Sequence, residues 1–226
     1  MSPDRESLRE ARREAMKNLA TALRRLTDVA VCTDLAPGEV EAATRRVESL
    51  TAELAREQHD GPYSGLLPKQ RDYDRPHHAM PLSPIIGDLN PIRPEVRVEL
   101  REGRVYGTAV LSKKFVGPAG FAHGGVTAMI CDQLVALAAR AAGLRGLTAS
   151  IEVLYRRPTP LYRELSLEGW CERGGGEREA RAFCEIRAEG KRTVRAQARM
   201  VVAEWMHDGP RRAAPPARVE GPQRQP

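Results

Sequence analysis

The sequence predicts an α+β protein: one antiparallel sheet of six strands around a single long apolar helix, preceded by a helical extension. Three observations carry that reading. Apolar and charged residues begin to alternate with period two at Glu95 and do so again in the segments that end near Trp205. Between the second and third of these strands lies a stretch, 126–142, in which Thr127, Asp132 and Gln133 are the clearly polar positions up to Ala139. Upstream, Leu8, Ala11, Ala15, Leu19, Ala22, Leu26 and Val29 recur at helical spacing instead.

The elements follow in order. Pro3 sits where a helix tolerates proline, and Ala36-Pro37-Gly38 breaks the first helical run. Val40, Ala43, Val47, Leu50 and Leu54 then mark a second helix. Both stripes are narrow and rich in small residues, so neither helix is stable alone. A helix hairpin over 1–57, packed on the rest of the chain or on a partner chain, is expected. Residues 58–85 are rich in proline and glycine and lack periodicity, which makes them a linker. Val96, Val98 and Leu100 form the first strand, Glu102-Gly103 a turn, and Val105 to Leu111 the second strand. A glycine-rich loop, 113–125, leads into the apolar helix. Four strands follow at Leu147–Tyr155, Leu165–Cys171, Ala180–Ala188 and Val194–Trp205, with a turn at Gly174-Gly175-Gly176. A helix apolar on all sides is expected to be buried. A sheet curled around one buried helix is the hotdog architecture, placed here at 86–205. The proline-rich tail, 206–226, is expected to be disordered.

Charge narrows the function classes. The chain carries a formal net charge of +6. Residues 1–57 hold 10 basic and 11 acidic side chains, net −1, whereas residues 86–204 hold 19 and 14, net +5. The excess forms no basic arm, which argues against nucleic acid and suits a smaller polyanion. No apolar run approaches the ~20 residues that span a membrane. Met1 to Arg5 run straight into charge, so no secretory leader and a cytoplasmic location are expected. Cys32, Cys131, Cys171 and Cys184 form no CxxC pair or metal spacing, so neither metal nor cofactor is expected.

The chemistry concentrates in Gly117-Pro-Ala-Gly-Phe-Ala-His123-Gly124-Gly125 and in Asp132. Gly124 and Gly125 let a ligand approach the backbone where the helix starts. Free N–H groups and the positive dipole end there suit the developing oxyanion of a thioester. Asp132 is a carboxylate in an apolar helix, where burial would raise its pKa toward useful base strength.

These residues resemble the PaaI-like branch of hotdog thioesterases, also called the acyl-CoA thioesterase superfamily member 4/5-like branch. Its pattern reads GPPG-x-x-HGG, with an Asp nine residues after the His. The chain departs from it at Ala119, where the pattern has proline. Thr148 to Leu161 resembles the family's following strand, Thr-x-x-x-x-V-x-Y-x-[KR]-P-x-P-L, and Ser83 to Pro91 resembles a lead-in found in many bacterial members. The resemblance covers about 86–204. It implies that Asp132 is general base or nucleophile, that Gly124 supplies the oxyanion N–H, and that His123 and Gly125 shape the turn. It further implies that Thr148 holds water or thioester, and that Arg156 and Arg157, with Asn90, contact an acyl-CoA. Gly124 and Asp132 are eight residues apart, ~12 Å along a helix, so one carbonyl does not easily touch both. Two antiparallel helices across a two-fold axis would pair Gly124 of one chain with Asp132 of another. A homodimer, or a dimer of dimers, is therefore expected.

Two other readings compete. Gly87-Asp88-Leu89-Asn90-Pro91 echoes the GDxNPxH motif of hotdog hydratases, but Arg93 stands where that motif has its basic His, and Arg does not act as a base near neutral pH. The alternative class is a non-catalytic acyl-CoA binder whose N-terminal helices form a protein-interaction arm. The carboxylate at Asp132 favours catalysis.

Overall fold

The computed structural model describes residues 3–58, 75–144, 146–173 and 179–202. Most of the 58–85 linker, the Gly174–Gly176 turn and the tail lie outside the described residues. The described residues hold four α-helices: α1 (Pro3–Ala30), α2 (Pro37–Leu54), a single turn α3 (Pro76–Ala79) and α4 (Gly124–Ala141). The strands are β1 (Glu95–Arg101), β2 (Arg104–Val110), β3 (Leu147–Tyr155), β4 (Glu164–Arg173), β5 (Glu179–Ala188) and β6 (Lys191–Val201).

All six strands join one antiparallel sheet in the order β1-β2-β4-β5-β6-β3. The period-two alternation sets which face each residue takes. In β1, Val96 and Val98 are buried while Glu95, Arg97 and Glu99 face solvent. The inward side chains meet one face of α4, and Ile130, Leu134, Val135, Leu137 and Ala138 pack in a single cluster with Val105, Leu165, Ile186 and Met200. Burying such a side chain is worth about 1.5–3 kcal/mol, so this layer holds the domain together. The architecture is the hotdog fold that the strand–helix–strand order predicts.

Strand β3 breaks the rule that apolar alternation means burial. It lies at the sheet edge, and Thr148 and Val153 are its half-buried residues; the others are exposed. Leu147, Ile151, Leu154 and Tyr155 all face solvent in the single chain.

At the other edge, β1 is covered by the segment that precedes it. Ile85, Ile86 and Leu89 are buried, and His77 pins the segment to the strand. Its Nδ1 lies 2.7 Å from the Ile86 carbonyl, and its Nε2 accepts the Val98 N–H at 3.1 Å. Both contacts are satisfied together by the neutral ring with its proton on Nδ1. An edge strand left open is a pairing hazard, and this loop closes it.

Helix α1 docks on the domain mainly through polar groups. Ala20 is buried, Arg24 Nη1 donates to the Asn90 carbonyl at 2.8 Å, and Asp28 accepts from Ser112 Oγ at 2.6 Å and pairs with Lys114 at 3.1 Å. Most of its apolar stripe is not used for this: Leu8, Leu26 and Val29 are exposed. Helix α2 buries no residue at all.

Replacing His77 with Ala removes both contacts and strands the Val98 N–H. We expect the unfolding free energy to fall by about 1–3 kcal/mol, measured by urea denaturation. An unchanged midpoint would mean that the clamp contributes nothing.

Candidate functional site

The site forms where the glycine-rich loop becomes α4. Residues 117–122 close on themselves: Gly117 N–H donates to the Phe121 carbonyl at 2.7 Å, and Val116 bridges Ala122. Gly117 is required sterically, because a Cβ there would lie 2.8 Å from the His123 Cα. Ala119 adopts φ 55°, ψ 24°, the left-handed region. Proline is locked near φ −65° and cannot take that conformation. The one departure from the GPPG pattern is thus matched by a turn that proline could not make.

The loop is tied on both sides. His123 N–H donates to the Phe115 carbonyl and Ala122 N–H to the Thr159 carbonyl, each at 2.9 Å. His123 then caps the helix, its Nδ1 accepting the Gly125 N–H at 3.0 Å. Of the two glycines at the helix start, Gly125 therefore has its donor engaged. The Gly124 N–H has no partner among the described residues. The Gly124 carbonyl accepts from Thr127 Oγ1 at 2.9 Å and from the Tyr155 hydroxyl at 3.1 Å. Tyr155 lies so close that a Cβ on Gly124 would come 3.3 Å from its ring.

Beside Gly124 opens a groove of about 340 Å³ lined by Thr127, Tyr155, Arg156, Arg157 and Thr159 among others. The structure thus brings together Gly124, Arg156 and Arg157. The strand end that carries the two arginines is held because both of their backbone N–H groups donate to the Thr193 carbonyl, at 2.7 and 3.1 Å. Arg157 Nη1 also reaches the Arg192 carbonyl at 3.2 Å, while the Arg156 side chain is exposed. Tyr155 was legible only as a motif letter in the sequence. Its role as a clamp on the helix start depends on the fold that brings β3 alongside α4.

Asp132 and Thr148 are not in this groove. The expectation of a buried Asp132 is corrected: its residue is exposed in the single chain. Helix α4 buries one face and leaves the other open, with Gly125, Met129 and Asp132 exposed along it. The apolar composition is real, but the sheet of one chain covers only half of the helix. Thr148 is half-buried on β3, where the register with β6 shifts between Thr148 and Ser150.

Asn90 also lies apart from this groove. Its Nδ2 donates to the Leu82 carbonyl at 2.9 Å and its Oδ1 accepts from Ile92 N–H at 3.0 Å. Both ends of the amide serve their own loop, and Asn90 is not among the residues that line the Gly124 groove. Among the described residues no group of three or more His, Cys, Asp or Glu is arranged to hold a metal ion, and no helix is long and apolar enough to cross a membrane.

The left-handed turn makes a prediction independent of activity. Ala119→Pro should lower the melting temperature, because the ring forbids the observed φ, whereas Ala119→Gly should leave it unchanged or raise it slightly. Equal behaviour of the two variants in a thermal melt would contradict the turn geometry.

A family model for the thioesterase superfamily matches residues 119–195. Among solved structures, a thioesterase superfamily protein is 26% identical, covering 83% of this chain and 90% of its own length, with a TM-score of 0.70. That span exceeds the hotdog domain and reaches into the N-terminal extension. A hypothetical thioesterase from Streptococcus pneumoniae, solved with coenzyme A, is 25% identical over 48% of this chain and 89% of its own, with a TM-score of 0.45. The E. coli PaaI protein is 16% identical over 48% of this chain and 79% of its own, again with a TM-score of 0.45. The thioesterase superfamily model thus matches the central part of the hotdog domain, and a solved thioesterase superfamily protein shares the fold over most of the chain.

Proposed function

We propose that the chain hydrolyses acyl-CoA thioesters to a free carboxylic acid and coenzyme A, at sites shared between two subunits. The observation that carries this reading is the open Gly124 N–H at the start of α4, beside a groove with two arginines. A thioester carbonyl oxygen seated on that N–H gains both the hydrogen bond and the positive end of the helix dipole as it becomes tetrahedral. Arg156 and Arg157 face the phosphates of coenzyme A.

The carboxylate comes from the second subunit. Asp132 lies eight residues beyond Gly124, ~12 Å along α4, and on the open face of the helix. An antiparallel partner helix laid on that face covers Met129, buries Asp132 and brings it to the other chain's Gly124. The exposed apolar edge of β3 offers a surface for the same pairing. In the shared site Asp132 attacks the carbonyl carbon or takes a proton from the attacking water, and Thr148 positions the water or the thioester. The thiolate of coenzyme A then leaves and takes up a proton; on the nucleophilic route, water hydrolyses the resulting Asp132 acyl anhydride to the free acid and the restored carboxylate.

A second reading rests on α2. It exposes Val40, Val47, Leu50 and Leu54 and buries nothing, as an interaction arm of a non-catalytic acyl-CoA binder would. The two readings part at Asp132. Asp132→Asn keeps the shape and removes the base, so hydrolysis followed by thiol release should fall by ~10² or more. Binding of a non-hydrolysable acyl-CoA should survive. Turnover close to wild type would sink the role of Asp132, and an inactive wild type that binds acyl-CoA would favour the binder. Gly124→Ala pushes a Cβ toward the Tyr155 ring and the carbonyl site, so turnover should drop while circular dichroism is unchanged. Full activity in that variant would leave Gly124 as a turn residue only.

A further inference from the structure

A cleft of about 340 Å³ lies between α1 and the hotdog domain, separate from the Gly124 groove in its lining. Its charged walls are Arg24, Arg25, Arg93 and Lys114 against Asp28 and Glu95, a surplus of two positive charges. Asp28 is taken by Lys114 at 3.1 Å and by Ser112, and Glu95 lies 3.6 Å from Arg97. Asp88, outside the lining, reaches Arg93 at 3.5 Å and offsets part of one charge. The Arg25 side chain has no hydrogen bond or ion pair among the described residues.

Two details mark the cleft as unfinished. Arg93 Nε is shut off from solvent and has no acceptor. Its Nη1 donates to the Pro94 and Val96 carbonyls, which fixes the guanidinium and its charge in the cleft wall. Burial, and next the charge of Arg93, also pull the Arg24 guanidinium below its ordinary pKa, against the opposing pull of Asp88. Two guanidinium groups that repel one another across a cleft are relieved by an anion between them.

We infer that this cleft binds a phosphate group of a small organic molecule, held by Arg24, Arg25, Arg93 and Lys114. The unengaged Arg25 fork can pair with phosphate oxygens, Arg24, Arg93 and Lys114 are held around it by bonds of their own and add positive charge, and the surplus charge matches a phosphate dianion. The volume exceeds what one phosphate fills, and Val110 and Phe115 supply an apolar wall for the attached group. The site is independent of the thioesterase reading. It adjoins that machinery in space, because the Phe115 carbonyl holds His123 N–H at the start of α4. The phosphate belongs either to coenzyme A itself or to a separate effector, and the chemistry of recognition is the same.

The test is calorimetric titration of the full chain with inorganic pyrophosphate at fixed ionic strength, which reads binding and not turnover. Saturable binding is expected, weakened about tenfold or more by Arg25→Glu, a solvent-facing change that should leave the fold intact. Arg93→Gln, checked for folding by circular dichroism, should weaken it similarly. No saturable binding, or binding that both variants leave unchanged, would overturn the proposal. Coenzyme A is titrated in parallel. If Arg25→Glu weakens it by the same factor, the cleft holds the substrate's phosphate. If coenzyme A binds the variant as it binds wild type while pyrophosphate does not, the cleft holds that of a separate effector.

Discussion

The packing of α4 on the concave face of the sheet is the contact on which the rest of the molecule depends. Ile130, Leu134, Val135, Leu137 and Ala138 fill that face, and their burial fixes both the height and the rotation of the helix. Once the rotation is set, Gly125, Met129 and Asp132 must lie on the opposite side. Once the height is set, the helix must begin beside Tyr155, and the Gly124 N–H opens next to Arg156 and Arg157. The candidate site is in this sense a by-product of core packing. The side chains around it, His123, Thr127, Tyr155 and Arg157, are each held by hydrogen bonds to nearby backbone.

Much of this was legible in the sequence, for a physical reason. Strands β1 and β2 could be bounded nearly to the residue because Val96, Val98 and Val105 alternate with charges and Glu102-Gly103 closes the hairpin. The start of α4 was legible because His123-Gly124-Gly125 ends a glycine-rich loop. What could not be read are properties that depend on a second surface. Apolar composition says that Met129 and its neighbours want to leave water, and not which chain covers them. Asp132 was therefore expected to be buried and is exposed in one chain. Leu147 and Ile151 alternate like core residues yet sit on the edge strand. The lead-in was opaque for another reason. His77 and Asn90 act through pairs of hydrogen bonds to backbone and Ser83 through one to Gln133, and no periodicity records such bonds.

The N-terminal extension follows a similar logic. Its first helix is joined to the domain by Arg24 and Asp28, not by the apolar stripe that makes it recognisable as a helix. Polar docking of this kind gives modest stability and leaves charge near the surface, and the phosphate-binding cleft arises from that arrangement. Leu8, Leu26 and Val29 of α1 and Val40, Val47, Leu50 and Leu54 of α2 remain exposed for other contacts.

The central claim is that Gly124 and Asp132 of one chain serve different sites. Mixing two inactive variants, Asp132→Asn and a bulky replacement of Gly124, with confirmed subunit exchange, tests it directly. In a mixed dimer one site inherits both lesions and the other pairs an intact Asp132 with an intact Gly124. About half of the dimers in a random mixture are mixed, so activity should return to roughly a quarter of wild type. If both residues of one chain serve the same site, every site keeps a lesion. Exchange without any recovery of activity would contradict the shared-site account.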